Sequence, residues 1–198
     1  MGSRARSRGS MGSAVESESV SGSPSPVPLA PGACYLIKEK KPDLSYRLFA
    51  MLTRGGTPGL IITRQYPERV RRERDLQGGR IIWLSHTPGE DYHNPTAIGS
   101  LAKLISGFVE ENQGVAVVLL DGLEYLSINN GFLQTLMFVE HVNEFVMQRK
   151  AMVLLPVSPD ALEEKELALL ERNVEVVESP VVKMDLETRE VSKLLDTY

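Results

Sequence analysis

Cysteine is nearly absent from this chain: Cys34 is the only one among 198 residues. One cysteine builds neither a disulfide framework nor a thiolate zinc cluster within a chain, and its scarcity points to an intracellular, cytoplasmic setting. Cys34 heads the apolar run Cys34-Tyr35-Leu36-Ile37 and reads as core packing. No apolar run approaches the roughly 18 residues a membrane span needs. Arg4, Arg6 and Arg8 are followed by no apolar segment, so the N-terminus is not a secretory signal. Met1-Gly2 does not begin a myristoylation motif, because Arg6 stands where that motif wants Ser or Thr. The net charge is only −4, which draws the chain to neither nucleic acid nor an anionic membrane. A Gly-x-Ser-x-Gly nucleophile elbow is missing, and with it the support for Ser85-His86 or Ser158-Asp160 as parts of a hydrolase triad.

What is present is a core, with 42% hydrophobic residues. Length and composition imply one domain, 33–178, between a Ser/Gly/Pro/Arg-rich N-terminal tail, 1–32, and a C-terminal tail, 179–198. The first tail has too little apolar surface to offset its ordering entropy and is expected to be disordered. In the second, 188–195 has the pattern of one or two helical turns.

Strand patterns fall at 33–37, 59–63, 80–84, 115–120, 151–155 and 174–177. Helix patterns fall between them, at about 42–53, 67–76, 95–112, 132–149 and 158–173. Such alternation predicts an α/β domain of three layers, a mostly parallel six-stranded sheet with helices on both faces. Residues 86–94 read as a polar loop. Trp83 is expected to be largely covered, in a strand at the sheet edge.

The chain is organised around Val115 to Gly131. Its apolar run ends at Asp121-Gly122, which places Asp121 at the C-terminal end of a buried strand. Open α/β sheets bind ligands there. Asp121 is then either a Mg²⁺-holding acid or part of a turn leaving a core strand.

The order of parts resembles the RecA-like ATPases of the circadian-clock type. The resemblance rests on Tyr35-Leu36-Ile37, the helix ending at Gly55-Gly56, the strand Gly59 to Thr63, and Tyr66-Pro67-Glu68-Arg69-Val70. Val117 to Asp121 resembles the metal strand of that family, and Met152 to Ser158 its sensor strand. A closer match is the mainly archaeal family called domain of unknown function 835. It is carried by Gly59 to Arg64 with Tyr66-Pro67, by Ile82 to Ser85, and by Leu120 to Leu126 with Asn130 and Phe132. This resemblance implies a setting in archaeal signal transduction. It implies no chemistry.

The departures from the ATPase pattern bear on function. A phosphate loop needs glycines for close backbone approach, a lysine against the phosphates and a hydroxyl for Mg²⁺. In its place, Lys38 to Ser45 reads Lys-Glu-Lys-Lys-Pro-Asp-Leu-Ser. That string has no glycine, and Glu39 and Asp43 would oppose phosphate. The glycines from Gly55 to Gly59 follow a helix instead of preceding one. Arg64-Gln65 stands where the catalytic Glu would be. No enzyme activity and no cofactor are therefore expected.

The expected role is a RecA-like signalling domain with a degenerate phosphate loop that binds protein partners, itself included as a homodimer. The alternative is a nucleotide or small-anion sensor at the sheet's C-terminal edge, using Asp121, Arg64 and Arg69. His86, Asp91 and His93 share a loop but lack rigid metal-ligand spacing. Arg69, Arg71, Arg72 and Arg74 alternate with Glu68, Glu73 and Asp75, as on a solvated, ion-paired helix face. Nucleic-acid binding is not expected from that run. The helix from Phe132 is apolar on more than one side, so Phe132, Met137, Phe138 and Phe145 are the candidate interaction residues.

Overall fold

A computed structural model describes residues 29–178 except 75 and 77. The helical turns expected at 188–195, and any ion pair of Asp75, lie outside the described residues. Seven strands form one sheet: β1 (Ala33–Lys38), β2 (Gly59–Thr63), β3 (Arg80–Leu84), β4 (Tyr92–His93), β5 (Val115–Asp121), β6 (Lys150–Val157) and β7 (Glu175–Glu178). Their spatial order is β4-β3-β2-β5-β6-β1-β7, and every pair is parallel. The six expected strands are all present. The seventh, β4, lies in the loop expected at 86–94 and is too short to show a pattern of its own.

Residues alternate between two cores, as the two-residue period of a strand requires. Ile37, Ile61, Ile81, Val117 and Leu119 point to one face, where α1 (Asp43–Thr53) and α2 (Pro67–Arg74) supply Leu48, Phe49, Leu52 and Val70. Leu36, Ile62, Ile82, Val118 and Leu120 point to the other face. That face is covered by α3 (Ile98–Glu111), α4 (Leu123–Asn130), α5 (Phe132–Met147) and α6 (Glu164–Glu171). The N-terminal end of β2 lies tightly under α1. A Cβ on Gly59 would come within 2.6 Å of the Phe49 ring, so only glycine fits there.

Several expectations need correction. The tail does not extend to residue 32: Leu29 is buried, Gly32 N donates to Ala151 O (2.8 Å), and the Tyr35 hydroxyl donates to Ala30 O (2.9 Å). Residues 123–130 form a helix, α4, which ends at Gly131 with φ +82° and ψ 152°. Ser158-Pro159-Asp160 leads only into a 3₁₀ turn, Pro159–Ala161. The helix proper starts at Glu164, because Glu163 and Glu166 form a reciprocal capping box.

Trp83 is half-buried, not covered, and β4 separates it from the sheet edge. Its ring meets Tyr66 edge-on with centroids 5.5 Å apart. Trp83→Ala should therefore cost about 1–2 kcal/mol, below the ~3–5 of a fully buried ring. A urea titration checks this, and a loss above that range would place the indole in the core.

Candidate functional site

The site is best described at the C-terminal ends of β1, β2 and β5. The chain leaves β2 for one end of the sheet and β5 for the other, so their adjacent ends form a topological switch point. Thr63 and Asp121 sit there as register partners, on the face covered by α1.

Asp121 is heavily engaged. Its Oδ2 accepts from the Tyr46 hydroxyl (3.0 Å), Thr63 Oγ1 (3.1 Å) and Gln65 Nε2 (3.2 Å). The backbone N–H of Gln65 donates to Thr63 Oγ1 (3.1 Å). Tyr46 and Thr63 are buried, and burial followed by the Asp121 charge pushes the Tyr46 phenol well above its ordinary value. The strand places the acid and α1 delivers the phenol.

The second feature stands where a phosphate loop would be. The turn after β1 brings the Glu39 carboxylate over the start of α1. Its Oε2 accepts from Leu44 N (2.9 Å) and its Oε1 from Ser45 N (3.0 Å) and Ser45 Oγ. Helix N-termini offer unpaired amides and a positive dipole end, a natural seat for an anion. Here the anion is the chain's own side chain. Burial raises the Glu39 carboxyl above the usual carboxylate range, outweighing the hydrogen bonds that lower it.

Between these features lies an open cleft of about 250 Å³, lined by Arg64, Asp121, Glu124, Tyr125, Ile128 and Pro156 among others. A larger hollow of about 780 Å³ lies at the other end of β2 and β3, against Gly56, Gly59, Gly78 and Gly79. The glycine cluster thus faces away from Asp121.

The structure brings Arg64 and Asp121 into one cleft but not Arg69, whose Nε pairs with Glu73 Oε1 (2.9 Å) on the exposed side of α2. Of the interaction candidates, only Met137 faces solvent. Phe138 is buried, and Phe132 and Phe145 pack against the core, with the Arg149 guanidinium 5.0 Å from the Phe145 ring centre. The outward side of α5 instead carries Leu133, Met137, His141, Glu144 and Met147. Most of the apolar width of α5 is used within the chain, because the helix touches β1, β6, α3, α4 and α6 at once, while Leu133, Met137 and Met147 stay exposed.

His86, Asp91 and His93 do not converge. His86 meets Asn129, Asp91 pairs with Arg80, and His93 meets Ser100. Among the described residues no group of three or more His, Cys, Asp or Glu could hold a metal, and no helix is long and apolar enough to cross a membrane. Cys34 is fully buried and its thiol is pushed up to about 12 by burial. A thiol-specific reagent should leave it unmodified in the native protein and react once the protein unfolds. Rapid native labelling would contradict this placement.

Sequence reading missed Tyr46 and Gln65 as partners of Asp121. Tyr46 could have been found: it lies on the face of α1 that also buries Phe49. The sequence shows Glu39 only as a charge that opposes phosphate. That it caps the helix follows only from the path of the turn.

Known proteins agree with this geometry at the level of fold. A KaiC-like protein from the hyperthermophilic archaeon Pyrococcus horikoshii OT3 is similar at 11% identity and TM-score 0.53, over 75% of this chain and 73% of that one. A second P. horikoshii OT3 protein is similar at 14% identity and TM-score 0.55, over 76% and 83%. The flagellar accessory protein FlaH from Methanocaldococcus jannaschii is similar at 14% identity and TM-score 0.51, over 76% and 72%. No curated protein matches the sequence. The model of a family described as "Protein of unknown function (DUF835)" matches residues 38–174, and with its RecA-like parallel sheet the chain belongs to that family.

Proposed function

We propose that this domain is a non-catalytic, cytoplasmic interaction module that binds protein partners in signalling. The observation that carries the reading is Glu39, whose carboxylate fills the anion seat at the start of α1. A nucleotide phosphate would have to expel it and would then meet neither glycines nor a phosphate-loop lysine. Asp121 Oδ2, committed to three donors, is poorly placed to take up Mg²⁺ as well.

Mg-ATP and Mg-GTP are expected to leave the melting temperature unchanged, and phosphate release should not exceed a protein-free blank. Saturable stabilisation by either nucleotide would overturn the reading. The cleft shared by Arg64 and Asp121 supports a small-anion sensor as the second reading. Its signature is stabilisation by inorganic pyrophosphate that Arg64→Ala abolishes.

A further inference from the structure

We propose that the β3–β4 edge of the sheet, centred on Tyr66, Trp83 and Tyr92, docks an acidic, extended polypeptide segment of a partner protein. The inference rests on the partner-binding reading and adds the surface and the partner's chemistry. The register aligns Asp121, Thr63, Trp83 and Tyr92 in one row across four strands. The row begins in the buried hydrogen-bond cluster and ends at the edge in aromatic rings.

Those rings remain open to solvent. Tyr66 is 57% exposed and Tyr92 38% exposed, and the only tryptophan of the chain is half-buried between β2 and β4. The indole is nevertheless held in place: its Nε1 donates to Arg64 O (3.2 Å) and its ring meets Tyr66 edge-on. Fixed, half-open Trp and Tyr rings are the side chains that dominate binding energy at protein interfaces, because little entropy is lost when they are covered.

Charge selects the partner. The chain is acidic overall, yet the helix that begins beside Tyr66 is rich in arginine. Arg64, Arg71 and Arg72 are exposed and have no carboxylate partner among the described residues. Arg69 follows Tyr66 by three residues and so rises on the same side of the helix. Its pairing with Glu73 is solvent-exposed and worth little. Glu68 and Glu90 are exposed here as well, and it is the surplus of arginine over them that an acidic segment complements.

The sheet edge sets the partner's conformation. β4 is the terminal strand, with no described strand on its outer side. A segment running along such an edge gains main-chain hydrogen bonds while its alternate side chains meet the rings.

Because Trp83 is the only tryptophan, its emission reports on this surface alone. The full chain is titrated with an alternating Glu-Val peptide, its Lys-Val counterpart and oligothymidylate. The Glu-Val peptide should shift Trp83 emission saturably, and the Lys-Val peptide should not. Tyr66→Ala and Arg69→Glu should each weaken binding about tenfold, while Met137→Glu, on the far face, should not.

The proposal is overturned by no shift with the Glu-Val peptide, by both variants binding as tightly as wild type, or by tighter binding of oligothymidylate, which would make this a single-strand surface. A shift that grows with protein concentration alone would assign the edge to a second copy of the chain, against the proposal. Failure here together with silence toward nucleotides would leave the interaction module standing and move its surface elsewhere. A nucleotide response would remove both.

Discussion

Asp121→Ala should lower the unfolding free energy by about 3 kcal/mol in urea titration. The carboxylate oxygen it deletes accepts three hydrogen bonds, two of them from the buried hydroxyls of Tyr46 and Thr63. A buried donor left without a partner costs about 1–3 kcal/mol, and Tyr46 is buried. Asp121→Asn keeps an acceptor at the same place and should cost about 1 kcal/mol. An acid kept free for a metal ion predicts the reverse: removing its charge would leave the metal-free protein as stable or more so. A neutral or stabilising alanine would therefore restore Asp121 as a candidate ligand residue.

The second large effect is expected at Glu39. Glu39→Ala removes the cap of α1 and exposes Leu44 N, Ser45 N and Ser45 Oγ to whatever solvent can reach them. The expected loss is about 2 kcal/mol. The pH dependence gives an independent check. Burial raises the native carboxyl above its unfolded value, so the native state takes up this proton first as pH falls. The resulting stabilisation is full below the unfolded value and is lost as pH rises through the native one. Wild type should gain on Glu39→Ala as the solution is acidified through that window. A difference that does not vary with pH would mean the carboxyl is solvated.

The positions of the six longer strands were readable because each is a short, mainly apolar run with glycine or proline near at least one end, as Gly59 to Thr63 shows. That β1 pairs with β6 instead of β2 does not follow from the order of the strands along the chain. α4 escaped notice because Leu123 and Leu126 are its only buried residues, set between Asp121-Gly122 and Asn129-Asn130-Gly131, which read as turns. Phe138, a candidate interaction residue, is buried for another reason. Apolar width along α5 does not reveal how many neighbours share it, and this helix has neighbours on several sides. Of the site, Asp121 and Arg64 could be found from their place after apolar strands. The hydrogen-bond network around Asp121 could not, because Tyr46 and Gln65 reach it from separate elements.

The pairing of β1 sets the order of events during synthesis. Ala33 lies beside Met152, more than a hundred residues later, and the other neighbour of β1, β7, is made later still. A ribosome adding about 5–20 residues per second finishes β6 on the order of ten seconds after β1 emerges. Through that interval Cys34 to Ile37, which end fully enclosed, have no strand to pair with. The nascent chain therefore carries an unpaired apolar strand until β6 has been made. That is the interval in which a holdase chaperone would have most to cover and in which a stalled ribosome would expose an aggregation-prone segment.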